Sequence, residues 1–143
     1  MVRIGWSAAA AFAVMGVAAA PADPVPFKAL DIGNQSGIHS HRDVVVRTAA
    51  EWTTLWKQHA GGRPRPAIDF ARATVLGVFL GSRPAAGYTV AVRAIEREGA
   101  ELVVTYRERA PSPTDMVAQM LTEPYLLVTV ERFDGRVRFV RAP

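Results

Sequence analysis

The strongest constraint on the fold is an apolar run in the middle of the chain, residues 72–80. It is apolar on both faces that a strand presents, with Val75, Gly77 and Phe79 on one and Leu76, Val78 and Leu80 on the other. A strand with one face in solvent alternates apolar and polar side chains, whereas a strand buried on both faces does not. The run therefore predicts a central strand that is covered on both faces.

One helix is predicted between residues 48 and 60. Thr48 and Glu51 have the spacing of a capping box, in which each side chain can bond a free backbone N–H group at the start of a helix. The apolar face that follows repeats at helical spacing through Trp52, Leu55, Trp56 and His59. Gly61-Gly62 then ends the helix. We expect the two tryptophans to pack this helix onto a sheet, and a ligand site is the alternative.

Six further segments have strand-like patterns, and turn residues separate them. They cover residues 27–32, 43–47, 88–97, 101–107, 125–131 and 136–140. Asp134-Gly135 is typical of a two-residue hairpin turn between the last two segments. Together they predict an α+β fold, a twisted antiparallel β-sheet of about five to seven strands with one packed amphipathic helix. This meander is either open or partly closed into a barrel.

Residues 1–22 have the pattern of a signal peptide. Arg3 gives a short basic start, residues 4–20 are apolar and uncharged, and Ala20-Pro21-Ala22 fits a cleavage site. We therefore expect a single mature domain, residues 23–143, that begins with a mobile Pro-rich lead-in. Its expected location is periplasmic or secreted, with no membrane span after cleavage. An uncleaved membrane anchor is the alternative, although the apolar stretch is short for a span.

The composition excludes several classes of site. The chain has no cysteine, so a lipidated cysteine, a thiol nucleophile and Cys-based zinc sites are excluded, and an exported domain must be held by its core alone. The formal charge is +4, or one less (+3) without Arg3, and acidic residues are interspersed with the basic ones. This pattern does not predict a nucleic-acid partner.

The serines and histidines form no specific catalytic pattern. Ser36 lies in a Gly33–Gly37 segment that lacks the strand–turn–helix context of a nucleophile elbow. His39 and His41 would share one face of a strand, where both could reach a metal ion. The further ligands that such a site needs have no diagnostic spacing: Asp31, Asp43 and His59. We therefore predict no catalytic residue, no metal site and no cofactor.

Two loop segments have the features of a protein contact surface. In Gly81–Val90 a Pro/Gly loop follows the central strand and an aromatic residue opens the next, and Thr122–Tyr125 repeats the arrangement. Proline and glycine fix loop geometry, and Tyr and Arg are common interface anchors. The predicted partner-binding residues are Arg83, Pro84, Gly87, Tyr88, Glu123, Pro124 and Tyr125. The alternative is that the two tyrosines plug the end of the sheet as hydrogen-bonded core residues.

A set of short segments occurs in a recognisable order: Ser36–Ile38, Glu51–Trp56, Ile68–Phe70, Val78–Pro84, Gly87–Val90 and Thr122–Tyr125. This order resembles the bacterial PrcB family, protease complex subunit PrcB, C-terminal domain. The resemblance implies that residues 23–143 form one noncatalytic, exported PrcB-like domain. In its namesake, a lipoprotein, the family is linked to assembly of an exported subtilisin-like protease complex. This chain has no cysteine to lipidate, and it has Ala85-Ala86 where the family often has Thr-Gly or Gly-Gly.

The resemblance implies an accessory or regulatory subunit of a cell-envelope protease complex, with a protein partner such as an exported protease. Residues 83–88 also look like the Asn-Pro-Thr-Thr-Gly-Tyr loop of chagasin-type inhibitors of cysteine proteases, and residues 123–125 look like their Arg-Pro-Trp loop. A protease inhibitor that uses the 82–88 and 122–125 loops is therefore the alternative function. A structural module of the envelope is the second alternative.

Overall fold

A computed structural model describes residues 22–143 and contains eight strands and one helix in that range. In chain order the elements are β1 (Ala22–Pro24), β2 (Phe27–Gly33), β3 (Arg42–Val46), α1 (Ala49–Ala60), β4 (Ala73–Phe79), β5 (Thr89–Glu98), β6 (Glu101–Arg109), β7 (Tyr125–Glu131) and β8 (Arg136–Arg141).

The strands form two four-stranded sheets. The first sheet has the order β1-β5-β6-β8, and the second has the order β2-β7-β4-β3. Every pair of neighbours is antiparallel except β6 and β8, which run parallel. One apolar core lies between the two sheets, and a second lies between the second sheet and α1. The predicted α+β class is confirmed, with three layers in the order sheet, sheet, helix.

Strand β4 belongs to both cores. Its even-numbered side chains, Leu76 and Val78, pack between the sheets, whereas Val75 and Phe79 pack towards α1. All four are fully buried. The prediction of a central strand covered on both faces is therefore confirmed, and the central position of β4 between β7 and β3 explains why its sequence does not alternate.

The predicted helix is confirmed with its N-cap. The Thr48 hydroxyl accepts a hydrogen bond from the Glu51 backbone N–H (3.2 Å). The face predicted from the spacing is buried: Trp52, Leu55, Trp56 and His59. The indole N–H of Trp52 donates to the Pro66 carbonyl, and that of Trp56 donates to the Arg63 carbonyl, both at 2.9 Å. Both polar atoms are thus satisfied within the fold, and the tryptophans serve packing.

The prediction of one antiparallel meander is wrong in the number of sheets and in the path after β7, and of the two alternatives for its edges the open one holds. The strands divide between two sheets, and within residues 22–143 neither sheet closes on itself into a barrel. Asp134-Gly135 does not make a hairpin, because β7 lies in the second sheet and β8 pairs parallel with β6 in the first. The connection crosses between the sheets because Phe133 is buried between them, and Arg47 donates hydrogen bonds to the carbonyls of Phe133 and Gly135.

The predicted signal peptide, residues 1–22, lies outside the described residues except for Ala22. The prediction of a mobile lead-in after it is wrong. Ala22–Pro24 form β1, which pairs with Glu96–Glu98 of β5, and the Val25 backbone N–H bonds the Ile95 carbonyl (2.8 Å). Among residues 22–143, no helix has the length and apolar character needed to span a membrane.

Replacing the helix anchor is expected to destabilise the fold strongly. Trp52→Ala removes a fully buried ring from the core beneath α1, and we expect a loss of about 3–5 kcal/mol in the free energy of unfolding. Urea denaturation followed by far-UV circular dichroism measures this loss. The control is Lys57→Ala on the exposed side of the same helix, with an expected change within about 0.5 kcal/mol. Equal stability of the two variants would contradict the packing role of Trp52.

Candidate functional site

The two loops predicted to form a contact surface are paired in the structure. The backbone N–H of Arg83 donates to the Thr122 carbonyl (2.7 Å), and the Thr122 N–H donates to the Arg83 carbonyl (3.0 Å). The Thr122 hydroxyl donates to the Ala85 carbonyl, and the Ala86 N–H donates to the Ala118 carbonyl, both at 2.9 Å. We call residues 82–88 together with residues 110–121 the paired-loop surface.

Arg83 secures the base of this surface. Its Nε and Nη2 atoms donate to the two carboxylate oxygens of Glu108 on β6, at 2.6 and 3.1 Å. Arg141 of β8 donates to the same carboxylate at 2.6 Å. The hydrogen bond from Arg83, reinforced by the two positive charges, outweighs burial and holds the pKa of Glu108 below its ordinary value. The Arg83 guanidinium is thus occupied within the fold.

Gly87 shapes the tip of the first loop. Its φ of 92° lies in the left-handed region, and a Cβ atom there would lie 3.0 Å from both Pro111 and Val117. Only glycine meets both requirements without strain. Beside it, Pro84 is exposed and Tyr88 is half-buried. These three predicted site residues therefore reach the surface.

The other three predicted residues lie inside the fold. Glu123 is buried and its Oε1 atom lies 3.2 Å from His39 Nδ1. The buried Pro124 accepts the Leu80 backbone N–H (3.0 Å), and Tyr125 is only 4% exposed. The part of the second loop that is open to a partner therefore precedes Glu123.

That open part carries an apolar cluster that sequence reasoning missed. Met116 is fully exposed, Leu121 is 66% exposed and Met120 is 48% exposed. They are three of the five large hydrophobic residues exposed among residues 22–143. A groove of about 370 Å³ is lined by Met116 and Pro111 of this segment and by Gly87 of the facing loop. The sequence does contain a signal for this cluster. Apolar residues recur between positions 116 and 121, in a segment whose prolines exclude a regular core helix or strand.

A polar cluster lies at the Tyr125 end of β7, and four of its five members are buried or partly buried. Asp31 of β2 accepts hydrogen bonds from three side chains: His59 Nε2 (2.9 Å), Arg63 Nη2 (2.8 Å) and the Tyr125 hydroxyl (3.0 Å). The Ser36 hydroxyl lies 2.8 Å from the other ring nitrogen of His59, Nδ1. We call these five residues the Asp31 network. It joins β2, the loop after β2, α1, the loop after α1 and β7.

The network shifts the pKa values of its two central groups. Burial acts to raise the pKa of Asp31, but hydrogen bonds from Arg63, His59 and Tyr125 outweigh it and hold that pKa below its ordinary value. Burial lowers the pKa of His59, and the hydrogen bond to Asp31 offsets this only in part. The folded state thus favours a carboxylate beside a neutral imidazole.

Residues 74–131 run from β4 through the paired-loop surface to β7. This segment matches the PrcB C-terminal family model. The resemblance to the PrcB family is therefore confirmed over these residues. No curated protein and no solved structure matches the chain. The matched segment, which we call the PrcB C-terminal segment, includes Arg83, Gly87, Tyr88 and Tyr125, whereas Asp31, Ser36 and His59 precede it.

Ser36, His59 and Asp31 have the residue types of a hydrolytic triad, outside the PrcB C-terminal segment. If the imidazole proton is assigned to Nε2, it bonds Asp31, and Nδ1 accepts the Ser36 hydroxyl. A nucleophilic serine must reach a substrate carbonyl. Ser36 is 6% exposed, and its oxygen accepts the Ile38 backbone N–H (3.1 Å). We interpret this chain of bonds as a structural link. His59 follows Ser36 by 23 residues and Asp31 by 28, so no local spacing predicts the link.

The two histidines of the candidate metal pair have different carboxylate partners in the structure. His39 pairs with Glu123, and His41 pairs with Asp43, each at 3.2 Å. Among residues 22–143, no three His, Asp or Glu side chains are grouped as metal ligands. The remaining histidine, His59, belongs to the Asp31 network.

Acid is expected to destabilise the fold through the Asp31 network. Because the pKa of His59 is lower in the folded than in the unfolded state, the unfolded state binds the extra proton, and the free energy of unfolding falls as pH drops below about 6.5. The lowered pKa of Asp31 adds a second loss below about pH 4. Urea denaturation at a series of pH values measures both. His59→Gln should remove the first loss, whereas His41→Gln, at an exposed histidine, should retain it; matching profiles for the two variants would contradict the assignment.

The two tyrosines are expected to differ in their effect on stability. Tyr125→Phe removes a hydroxyl that bonds Asp31 and Arg63, so we expect a loss of about 1–3 kcal/mol in the free energy of unfolding. Tyr88→Phe serves as the matched control and should change it by less than about 0.5 kcal/mol, because Tyr88 is half-buried and sits at the surface. Thermal or urea unfolding distinguishes them, and equal losses would place Tyr88 among the structural plugs.

Proposed function

We propose that this chain is an exported, noncatalytic protein-binding domain, an accessory or regulatory subunit of a cell-envelope protease complex. The match to the PrcB C-terminal family supports the protease-complex context. The observation that carries the binding role is the exposure of Met116, Met120 and Leu121 on a segment tied by backbone hydrogen bonds to the facing loop.

This combination favours a protein partner on physical grounds. Clustered apolar side chains in water mark a surface that is covered on association. Methionine adapts its flexible side chain to irregular partner surfaces. The bridge between Arg83 and Thr122 and the Arg83–Glu108 ion pair hold the two loops in place before binding. Association then costs less ordering entropy than it would for a free loop.

The seven residues predicted for partner binding divide into two roles in this proposal. Pro84, Gly87 and Tyr88 contribute open surface beside the apolar cluster. Arg83 supports that surface from below, through Glu108. The remaining three residues, Glu123, Pro124 and Tyr125, form a buried turn that supports the second loop.

The inhibitor alternative is less well supported. A chagasin-like mode would present the 82–88 and 122–125 loops together to a protease. The Tyr125 ring packs on His59, with ring centroids 4.2 Å apart, and its hydroxyl bonds Asp31. Inserting this turn into a protease would require breaking that network. The accessory-subunit proposal uses the preceding residues and leaves the network intact.

Affinity capture from the envelope fraction of the source bacterium tests the proposal. We expect the unaltered chain to recover an exported protease, and the double variant Met116→Ser with Leu121→Ser to recover roughly tenfold less, because hydrophobic anchors carry much of an interface's binding energy. The matched control is Phe27→Ser, at an exposed apolar residue of β2 outside the paired-loop surface. Recovery of no protease, or equal recovery with the double variant, would contradict the proposal.

An activity assay on the recovered protease separates the roles. An accessory subunit leaves proteolysis unchanged or increases it when the chain is added back. Stoichiometric loss of activity would instead identify an inhibitor. Unchanged recovery of a non-proteolytic envelope component by both variants would favour the structural module.

A further inference from the structure

Three of the four sheet edges carry features that block strand addition. The edge strand β1 has three residues and includes Pro24. Edge strand β2 carries Lys28 and a register irregularity between Ala29 and Asp31. Edge strand β8 presents a series of arginines: Arg136, Arg138 and Arg141. Short length, proline, bulges and charges are the devices by which proteins protect exposed strand edges.

The fourth edge, β3, has fewer of these devices. It has neither a proline nor a bulge, and its register with β4 is regular from Arg42 opposite Phe79 to Val46 opposite Val75. It ends with three consecutive valines, residues 44–46. In an antiparallel ladder every second residue directs its backbone N–H and C=O groups away from the neighbouring strand. Within residues 22–143 no strand lies on that outer side.

A groove of about 490 Å³ runs between this edge and α1. On the strand side it is lined by Arg42 and residues 44–46, and on the helix side by one face of α1 that includes Ala50, Thr54 and Leu55. Ala50 and Thr54 are small and exposed, which leaves the space open. A free strand edge beside a helix supplies backbone partners for an extended peptide and a pocket for its alternate side chains.

The two ends of the groove carry opposite charges. Arg42 stands at the end where β3 begins and is held by a hydrogen bond to Gln58 Oε1 (2.8 Å). Glu51 lines the groove from the first turn of α1. An antiparallel guest strand would run with its C-terminal end towards Arg42. Charge complementarity therefore favours a guest that is acidic at its C-terminal end.

We propose that this groove binds an extended segment of a partner protein, which adds to β3 as an antiparallel strand. The guest presents apolar side chains to Val44 and Leu55 and an acidic side chain or terminal carboxylate to Arg42. This site shares no lining residue with the paired-loop groove, so the proposal stands independently of the function proposed above.

A second copy of the chain fits this edge less well. A continuous sheet across a two-fold axis pairs residues that point to the same face, so Arg42 would lie opposite Ser40, Val44, Val46 or another Arg42. None of these is acidic. A strand from a partner protein can place an acidic group opposite Arg42, whereas β3 of a second copy cannot.

Selection from a random peptide library displayed on phage, against the immobilised full chain, tests the proposal. We expect enriched peptides with alternating apolar residues and an acidic C-terminal end. Fluorescence anisotropy of the synthesised peptides should give binding that Ala50→Arg weakens by roughly tenfold or more, because a long side chain then fills the groove. The matched control is Ala49→Arg, which places the same charge in the same helical turn outside the groove and should bind as the unaltered chain does.

Two further measurements locate and orient the guest. Bound peptide should slow hydrogen exchange of the outward-facing amides of β3, and Arg42→Glu should switch the preference to peptides with a basic C-terminal end. Failure to enrich any peptide, or equal binding by Ala50→Arg and the unaltered chain, would overturn the proposal. It would also be overturned if the unaltered chain sediments as a dimer that Ala50→Arg dissociates, since the occupant would then be a second copy.

Discussion

The two-sided burial of β4 is the constraint on which the rest of the fold depends. The chain has no cysteine, so no disulfide joins the two apolar cores, and β4 contributes side chains to both. The first sheet packs on one face of the second sheet, and α1 packs on the other. Each layer packs on β4 or on its neighbour β7. A substitution that disturbs the packing of β4 would therefore destabilise both cores.

The same strand positions the candidate contact surface. After Phe79 the chain leaves the core through Gly81, whose positive φ and close contact with the His41 backbone exclude a side chain. Arg83 then pairs with Thr122, which directly precedes the buried turn into β7. The exposed methionines therefore sit only a few residues from fully buried strands. The backbone of their segment is held to the facing loop by the Arg83–Thr122 bridge, which adjoins these strands, while the methionine side chains stay free to adapt to a partner.

Much of the fold could be predicted because the signals are local. The Thr48 cap, the face led by Trp52 and the apolar run of β4 depend on spacing within one element, and the structure agrees with each. The division into two sheets could not be predicted, because Asp134-Gly135 has hairpin chemistry while the burial of Phe133 decides the path. Burial of the Phe133 ring therefore stabilises the fold more than the preferred hairpin turn at Asp134-Gly135 would.

In the site, too, the features that depend on one segment could be predicted from the sequence, and those that depend on residues elsewhere in the chain could not. That the two loops share one surface was predicted from their similar Pro–aromatic patterns, whereas the backbone bridge between them was not. The burial of Tyr125 was not decided by its own segment, since it depends on Asp31, Arg63 and His59, which come from elsewhere in the chain. The exposure of Met116 could not be predicted either, because an apolar residue in an irregular segment can face the core or the solvent.

The pairing of β8 with β6 sets the order in which the strands of the first sheet can assemble during synthesis, because β8 is the last strand of the described chain. The first sheet takes one edge strand, β1, from the start of the described chain and the other, β8, from its end. That sheet cannot acquire its edge strand β8 until residues 136–141 have emerged from the ribosome, after every other strand of the described chain. Pairings between such distant segments also form slowly. Until then the core between the two sheets lacks Val137 and Phe139, so its cover on that side is incomplete.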